Sequence, residues 1–237
     1  MIIRKLNKEN AIILCGHGSR DSDYIKEMLG LKLKLEDQIQ CEVFNCFIEI
    51  NEPSIEDCLD AIIHKYKKIL FFPLLLFDGK HMIRDIKKKI NNLSKKFEKN
   101  IHIVTKVSLL KEVLPNIKDI ITNSQYKEYD TLITSCSFSK NKTVFNQLRN
   151  YTNKLSTSLN IQNKIFHFVG DEEVVLSQLN NLRIKNIILH PVFFFNGYLF
   201  KKNIRYFEKY FKTMQIFPIA HYDPIIQIIS DKLIRNI

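Results

Sequence analysis

Three residues in the first half of the chain carry side chains that could bind a metal ion or move a proton. They are His17, Glu49 and His81. Two imidazoles and a carboxylate suit late first-row divalent ions such as Co²⁺, Fe²⁺, Ni²⁺ and Zn²⁺, and leave coordination positions open for exchange. The carboxylate could also accept protons that metal binding displaces. Because the three residues are far apart in the sequence, this prediction depends on the fold that positions them.

Apolar, β-prone runs alternate with segments of helical periodicity, which is typical of parallel α/β architecture. In the first half these runs predict strands at about residues 11–16, 42–50, 69–77 and 101–105. Ser54 with Asp57 predicts a capping box that begins the helix after the second strand. In an open parallel sheet, ligands bind outside the carboxyl ends of the strands. His17 follows the first strand, Glu49 ends the second and His81 follows the third, so we expect all three at one edge of one sheet.

The second half repeats the plan of the first, with strands predicted at about residues 130–136, 164–169, 186–195 and 215–219. The run "ILFFPLLLFDG" (69–79) aligns with "IILHPVFFFNG" (187–197), so that the prolines and the glycines are both 118 residues apart. This pattern predicts an α/β protein of two similar domains, residues 1–125 and 126–237, related by a pseudo-twofold internal repeat. Each domain is expected to contain a mostly parallel four-stranded sheet flanked by helices.

The repeat also indicates which half carries the chemistry. At an offset of 118 residues the pairs are His17 with Ser135, His81 with Leu199 and, approximately, Glu49 with His167. The second half therefore lacks the same set of donors, and we expect the reactive site in residues 1–125.

Two loops beside these residues favour a large, flat, anionic ligand. The glycines on either side of His17 remove side-chain bulk where such a ligand must approach. In the loop "LFDGK", residues 76–80, Phe77 offers an apolar surface to a planar ring, and Gly79 permits close approach. Lys80 and the first amides of the following helix can meet carboxylates.

The charge balance favours an anionic partner. Lys and Arg number 36 against 25 Asp and Glu, a formal net charge of +11, which attracts phosphates, polycarboxylates or nucleic acid. A general bias toward Lys, Asn and Ile would raise the charge without any ligand. Aromatic and basic residues are not interleaved as in a base-stacking surface, and no nucleic-acid motif is found, so we expect no nucleic-acid partner.

Apolar runs and cysteines bear on the cellular compartment. No run reaches the roughly 20 apolar residues that cross a bilayer, and the first residues do not resemble a signal peptide. The sequence therefore predicts a cytoplasmic protein with no membrane partner. Five cysteines without a CxxC pair indicate reduced, buried thiols rather than disulfides or a structural zinc site.

Three stretches together resemble the sirohydrochlorin chelatase family, which belongs to the class II chelatases. They are "GHGSRD" (16–21), "FIEINEPSIED" (47–57) and "PLLLFDGKHMIRDI" (73–86), in the family's order and at similar separations. The resemblance implies insertion of a divalent metal ion into sirohydrochlorin, an anionic tetrapyrrole with eight carboxylates, in cobalamin or siroheme biosynthesis. No GxxxxGK loop is present, so insertion without ATP is the consistent choice. The two-domain form favours Co²⁺ over Fe²⁺.

The resemblance also implies roles for individual residues. His17 and His81 match the two metal-binding histidines and, with Glu49, form the expected catalytic set; Glu49 or His17 would receive the pyrrole protons. Glu49 is also expected to contact the tetrapyrrole together with the loop Leu76, Phe77, Asp78, Gly79 and Lys80. The second half would be a degenerate repeat that closes the tetrapyrrole cleft. No cofactor beyond the substrate metal is expected, and the protein would be a monomer or a homodimer.

Two alternatives use the same residues differently. The protein could carry or sense a tetrapyrrole or a metal without catalysing insertion, and the sequence does not separate carriage from catalysis. Histidine phosphatases also place His-Gly after a first strand, with the histidine as phosphoryl acceptor. That chemistry requires an arginine directly before the histidine, where this chain has Gly16.

Overall fold

A computed structural model describes residues 9–97, 100–104 and 109–236, without the side chains of residues 80–83, 85 and 100. The strands are β1 (Asn10–Gly16), β2 (Glu42–Phe47), β3 (Lys68–Pro73), β4 (Asn100–Ile103), β5 (Thr131–Cys136), β6 (Asn163–Phe168), β7 (Asn186–Pro191) and β8 (Lys212–Gln215). The helices are α1 (Ser22–Ile39), α2 (Ile55–Ile62), α3 (Lys80–Lys96), α4 (Leu110–Thr122), α5 (Lys142–Ser158), α6 (Glu172–Asn181), α7 (Tyr198–Phe207) and α8 (Asp223–Ile234). None of the helices in these described ranges is both long and apolar enough to span a bilayer.

The chain divides into two compact units: residues 1–108 with 222–237 form the first, and residues 109–221 form the second. The first unit contains a sheet of strand order β2-β1-β3-β4, and the second contains a sheet of order β6-β5-β7-β8. All six strand pairings are parallel. Two four-stranded parallel sheets with the same order confirm the predicted fold class and the repeat within it.

The two units exchange one helix each relative to the domains expected from the sequence. Helix α8, from the end of the chain, packs on α1 in the first unit, where Lys34 Nζ lies 3.2 Å from Asp223 Oδ1. Helix α4, from the first half, packs on α5 in the second unit. The expected boundary between residues 125 and 126 therefore does not coincide with the division in the structure. Helical periodicity reveals an apolar face but not which sheet covers it.

Strand β1 forms the centre of the first sheet. Its residues Ala11 to Cys15 are fully buried, as expected for a parallel strand that is covered by helices on both faces. Helix α1 begins after Asp21, whose side chain accepts the N–H of Asp23. Helix α2 begins after Ser54, whose Oγ accepts the Asp57 N–H at 3.1 Å and donates to the Asp57 carboxylate at 2.6 Å. The predicted helix start at Ser54 is confirmed, but the reciprocal bond of a capping box is not formed, because the Ser54 N–H donates to Glu52 Oε2 at 2.9 Å and not to Asp57.

Several strands are shorter than their apolar runs. Strand β2 ends at Phe47 and β3 ends at Pro73, so Glu49 and residues 76–77 lie in loops. Likewise β7 ends at Pro191 instead of residue 195. The residues beyond these ends include buried Leu74, Leu76, Val192, Phe194 and Phe195. An apolar run in the sequence indicates burial and not hydrogen bonding in a sheet. Loop residues that pack into the core therefore make the run longer than the strand.

The last strand differs most from its prediction. Strand β8 is Lys212–Gln215, whereas the pattern predicts residues 215–219. Helix α7 is seven residues shorter than α3, with 10 residues against 17. The shorter helix brings the next strand earlier in the second copy.

Strand register corrects the alignment of the two copies. Pro73 of β3 pairs with Cys15 of β1, and Pro191 of β7 pairs with Ser135 of β5. Cys15 and Ser135 are therefore equivalent, and His17 corresponds to Ser137, not to Ser135. The connections between strands differ in length between the copies, so no single offset holds along the chain.

The other two expected pairs have different outcomes. The Ile48 N–H donates to the Gly16 carbonyl, and at the equivalent place the Val169 N–H donates to the Cys136 carbonyl. Glu49 therefore corresponds to Gly170 and not to His167. The pairing of residue 81 with residue 199 holds, because each is the second residue of its helix, α3 or α7.

Candidate active site

The loops after β1 and β2 are joined by backbone hydrogen bonds beyond the ends of the strands. The Ile48 N–H donates to the Gly16 carbonyl at 3.0 Å, and the Glu49 N–H donates to the His17 carbonyl at 3.1 Å. The Asn51 side-chain carbonyl accepts the Ser19 N–H at 2.6 Å. These contacts hold the backbones of His17 and Glu49 side by side at the carboxyl edge of the first sheet.

The side chains of His17 and Glu49 meet at this edge. Nε2 of His17 lies 2.8 Å from Oε1 of Glu49, and the two side chains are 48% and 57% exposed. The structure thus brings together two of the three residues that the fold argument places here. An imidazole nitrogen and a carboxylate within hydrogen-bond distance, both open to solvent, can bind a cation and accept a proton.

Gly18 has a conformation that the site requires. Its φ is +106°, and a Cβ at this position would lie 1.9 Å from the Glu49 carbonyl oxygen. Gly16 is also closely surrounded, since a Cβ there would lie 2.7 Å from Tyr24 Oη and 2.9 Å from Met28 Sδ. The sequence predicts that these glycines leave room for a ligand. In the structure the protein's own atoms occupy the space beside both glycines.

Tyr24 supports the loop that carries His17. Its hydroxyl accepts the Gly18 N–H at 3.3 Å from the first turn of α1. Burial raises the pKa of Tyr24 to about 12, so the hydroxyl stays protonated at neutral pH. The sequence pattern does not single out Tyr24 or Asn51, because neither belongs to a donor set and both act through backbone groups.

A tight turn follows Glu49. The Asn51 N–H donates to the Glu49 carbonyl at 2.9 Å, and Ile50 between them has a φ of +73°. A β-branched residue seldom adopts this left-handed region, and such a conformation costs on the order of 1–3 kcal/mol. Ile50 is exposed, so burial of its side chain does not offset that cost. The surrounding hydrogen bonds hold the turn, and the turn sets the direction in which the loop leaves Glu49.

The third loop of this edge leads from β3 into α3. The side chain of Leu76 is buried, so this residue does not offer the surface to a ligand that the sequence predicts. Phe77, Asp78 and Gly79 are partly exposed, and Gly79 is the residue before the first turn of α3. The side chains of Lys80 and His81 lie outside the described residues. The backbone of residue 81 is at the start of α3, on the same edge as His17.

Among the described side chains, no group of three or more His, Cys, Asp or Glu is arranged to hold a metal ion. His17 and Glu49 are thus a pair of donors in the described part of the site. The five cysteines, all within the described ranges, are buried free thiols, as predicted. At the equivalent edge of the second unit, the residues corresponding to His17 and Glu49 are Ser137 and Gly170, so the pair has no counterpart there.

Comparison with known proteins relates this fold to metal chelatases. Residues 11–123 match the CbiX family. No curated protein matches the chain in sequence.

Solved structures match over nearly the whole chain. SirB from Bacillus subtilis with Fe³⁺ is 19% identical, with a TM-score of 0.70 over 95% of this chain and 94% of that one. The sirohydrochlorin chelatase SirB from Bacillus subtilis subspecies spizizenii in complex with cobalt is 17% identical, with a TM-score of 0.71 over 94% and 93%. CbiX, described as the terminal enzyme for siroheme biosynthesis in denitrifying bacteria, is 10% identical, with a TM-score of 0.70 over 96% and 99%. At these identities the likeness establishes the fold.

Proposed function

The chain is a member of the CbiX family of class II chelatases through its residues 11–123, and from this premise we propose that it inserts a divalent metal ion into sirohydrochlorin without ATP. Co²⁺ is the favoured ion and Fe²⁺ the second, in cobalamin or siroheme biosynthesis respectively. SirB structures that contain Fe³⁺ or cobalt support iron and cobalt as the candidate metals. The metal is a substrate in this reaction and leaves with the product.

One observation carries the proposal: the contact of His17 Nε2 with Glu49 Oε1 at an open sheet edge. A metal ion that binds to Nε2 must displace the hydrogen bond to the carboxylate. The carboxylate is then free at the moment when a pyrrole N–H must lose its proton. Metal binding and proton acceptance are thus coupled through a single contact.

The reaction balances with these two residues and the solvent. Sirohydrochlorin with two pyrrole N–H groups and a divalent ion give the metallated macrocycle and two protons. His17 binds the ion while its water is shed, and Glu49 accepts a pyrrole proton and passes it to bulk water, since its side chain is more than half exposed. His81, at the start of α3, is the proposed second metal ligand.

The substrate's carboxylates match the charge of the protein. A net charge of +11 attracts an octacarboxylate and raises its local concentration. Phe77 and Gly79, both partly exposed in the loop before α3, are proposed to meet the macrocycle, with Lys80 as a partner for a carboxylate.

Purified protein mixed with sirohydrochlorin and either Co²⁺ or Fe²⁺ under anaerobic conditions tests the proposal through the change in the absorption spectrum. We expect insertion faster than the spontaneous rate, and loss of that acceleration in His17→Ala. His64→Ala is the matched control. His64 is also exposed in the first unit, but it lies in the turn between α2 and β3, before the strand begins and not after its carboxyl end. A wild-type rate equal to the spontaneous rate, with sirohydrochlorin still bound, would identify a carrier instead of an enzyme.

A second variant separates the roles of the two donors. Glu49→Gln keeps the size and a carbonyl oxygen but removes the proton acceptor. We expect slow insertion with retained affinity for the metal ion, measured by titration calorimetry with Co²⁺. Equal loss of metal affinity in Glu49→Gln and His17→Ala would assign Glu49 as a metal ligand.

A further inference from the structure

The second unit carries an unusual charge pattern in its β5–α5–β6 segment. Residues 131–170 contain five cationic residues and no Asp or Glu. The cations, all exposed, are Lys140, Lys142, Arg149, Lys154 and Lys164. The equivalent segment of the first unit, residues 11–49, contains four cationic residues and seven carboxylates. The general basic bias of the chain does not explain a segment from which acidic residues are absent.

Four phenylalanines form a cluster on the same segment, here called the aromatic cluster. They are Phe138, Phe145, Phe166 and Phe168. Phe138 lies in the loop after β5, and its ring meets that of Phe168 edge-on with centroids 5.5 Å apart. Phe145 on α5 contacts both Phe166 and Phe168, at 5.2 and 5.7 Å. The rings support one another, so Phe138 is held by packing.

The aromatic cluster is not required by the fold. At the equivalent positions the first unit has Gly18, Ile25, Asn45 and Phe47, and its β-α-β segment has the same topology. Phe138 exposes 66% of its surface and Phe145 exposes 38%. Exposure of this apolar ring surface to water is unfavourable, and packing in the core of the second unit does not require it.

We propose that the aromatic cluster, with Lys140 and Lys142, is a docking surface for the anionic aromatic macrocycle. This inference rests on the proposed function, because that function names a planar polycarboxylate as substrate. An exposed ring face suits the flat face of the macrocycle. Lys140 and Lys142 follow Phe138 in the same loop and helix start, and their ammonium groups suit carboxylates at the macrocycle rim.

Titration of metal-free sirohydrochlorin, followed by its absorption and fluorescence, tests the docking surface. Phe138→Ala is expected to raise the dissociation constant at least about fivefold, since a stacked ring is typically worth that much or more. Lys140→Glu with Lys142→Glu is expected to raise it about tenfold and to reduce its dependence on salt. Phe138→Tyr keeps the ring and is expected to bind as the wild type does.

Matched controls lie elsewhere in the second unit. Phe217→Ala removes another exposed phenylalanine. Lys202→Glu with Lys209→Glu changes the net charge by the same amount at exposed positions. Both controls are expected to stay within about twofold of the wild-type dissociation constant, which separates local contacts from general attraction.

The outcomes distinguish this inference from the proposed function. If the wild type binds sirohydrochlorin and inserts metal, but Phe138→Ala and the double lysine variant bind it equally well, the docking surface is wrong and the function stands. If the wild type does not bind sirohydrochlorin, both are wrong. If Phe138→Ala instead changes the oligomeric state in sedimentation without the ligand, the aromatic cluster is an interface between copies of the chain, and the inference is overturned.

Discussion

The same β-α-β segment occurs twice in this chain, and the two copies share their framework while differing at the ligand-facing positions. The Ser19 Oγ accepts the Asp21 N–H at 3.1 Å, and the Ser139 Oγ accepts the Asn141 N–H at 3.2 Å. The caps of α1 and α5 match as well, because Asp21 Oδ1 accepts the Asp23 N–H at 3.0 Å and Asn141 Oδ1 accepts the Thr143 N–H at 2.9 Å. The residues directly before these turns differ between the copies, since His17 corresponds to Ser137 and Gly18 corresponds to Phe138.

That difference separates two kinds of chemistry. The first copy presents an imidazole and a carboxylate in an acidic segment, which suits a divalent cation. The second copy presents aromatic rings in a segment with cations alone, which suits an aromatic anion. Helix caps and strand register thus preserve the fold, while the loop between them is free to change its ligand.

The cores beneath the two edges also differ. Cys15 and Cys46 are buried thiols in the first unit, and their equivalents in the second are Ser135 and His167. There the Ser135 hydroxyl donates to Asn203 Oδ1 at 2.9 Å, and the Asn203 amide donates to the buried Glu172 carboxylate at 3.3 Å. The second unit therefore depends on a buried hydrogen-bond network where the first uses apolar packing.

Replacing His17 with the serine found at the equivalent position of the second copy should have the largest effect on activity. His17→Ser installs the residue of the second copy and is expected to slow metal insertion by about 100-fold or more, the usual contribution of such a group. Its free energy of unfolding should change by less than about 0.5 kcal/mol, because the side chain is half exposed. Insertion assays and urea unfolding measure the two effects. Ser137→His in the wild type should add no activity, and a gain there would contradict a single site.

A side chain at Gly18 should damage the framework as well as the site. Gly18→Ala is expected to lower the free energy of unfolding by about 2–3 kcal/mol, because φ is +106° and the Cβ would overlap the Glu49 carbonyl. Insertion should slow in parallel as the two loops separate. Gly30→Ala is the control: nothing lies within 4 Å of its Cβ, and in a helix it should stabilise by about 0.5–1 kcal/mol. Equal effects of the two variants in thermal unfolding would contradict the assigned backbone role.

Removing the centre of the buried network should affect the second unit alone. Asn203→Leu leaves Glu172 and Ser135 without a shared partner and is expected to cost about 2 kcal/mol, measured by urea unfolding. The reaction rate per folded molecule should not change. Asn150→Leu, at an exposed position of α5, should cost less than about 0.5 kcal/mol. A similar cost for both would mean that the network contributes nothing.

Acid should destabilise the second unit through His190. Burial lowers the pKa of His190 to about 3, below the value of about 6.5 in an unfolded chain. The unfolded state therefore binds more protons between these values, so stability is present above pH 6.5 and is lost as the pH falls toward 3. We expect a loss of about 2 kcal/mol between pH 6.5 and 4.5 from this group. His190→Leu should unfold more easily at pH 7 but lose this part of the pH dependence; an unchanged slope would contradict the assignment.

Loss of the Tyr24 hydroxyl should have a small effect on the edge of the first sheet. Tyr24→Phe removes the hydroxyl that accepts the Gly18 N–H and is expected to cost about 1 kcal/mol of stability. Insertion should slow a few-fold through the rate constant, with little change in the apparent affinity for sirohydrochlorin, because Tyr24 positions the loop without touching the ligand. Tyr198→Phe, at an exposed position, should behave as the wild type does in both assays.

Much of the fold could be predicted from the sequence because burial leaves a local record. The run from Ala11 to Cys15 is apolar since both faces of β1 are covered, and Ser54 with the nearby Asp57 indicates where α2 begins. The sequence of a helix does not indicate which element it packs against. The apolar faces of α4 and α8 therefore did not predict that α4 belongs to the second unit and α8 to the first. The alignment of the copies failed by two residues at His17 because turn lengths differ, and only hydrogen-bond register shows that.

The order of residue types along the chain was enough to predict which side chains follow which strands, and hence that His17 and Glu49 lie at one edge of a sheet. The folded structure was needed to show that His17 Nε2 and Glu49 Oε1 lie 2.8 Å apart, that the glycines beside His17 make room for Tyr24 and the Glu49 carbonyl, and that four phenylalanines cluster in the second unit. Periodicity is a property of neighbouring residues, whereas these contacts join residues from different loops and helices, and their distances follow from the packing of the whole unit.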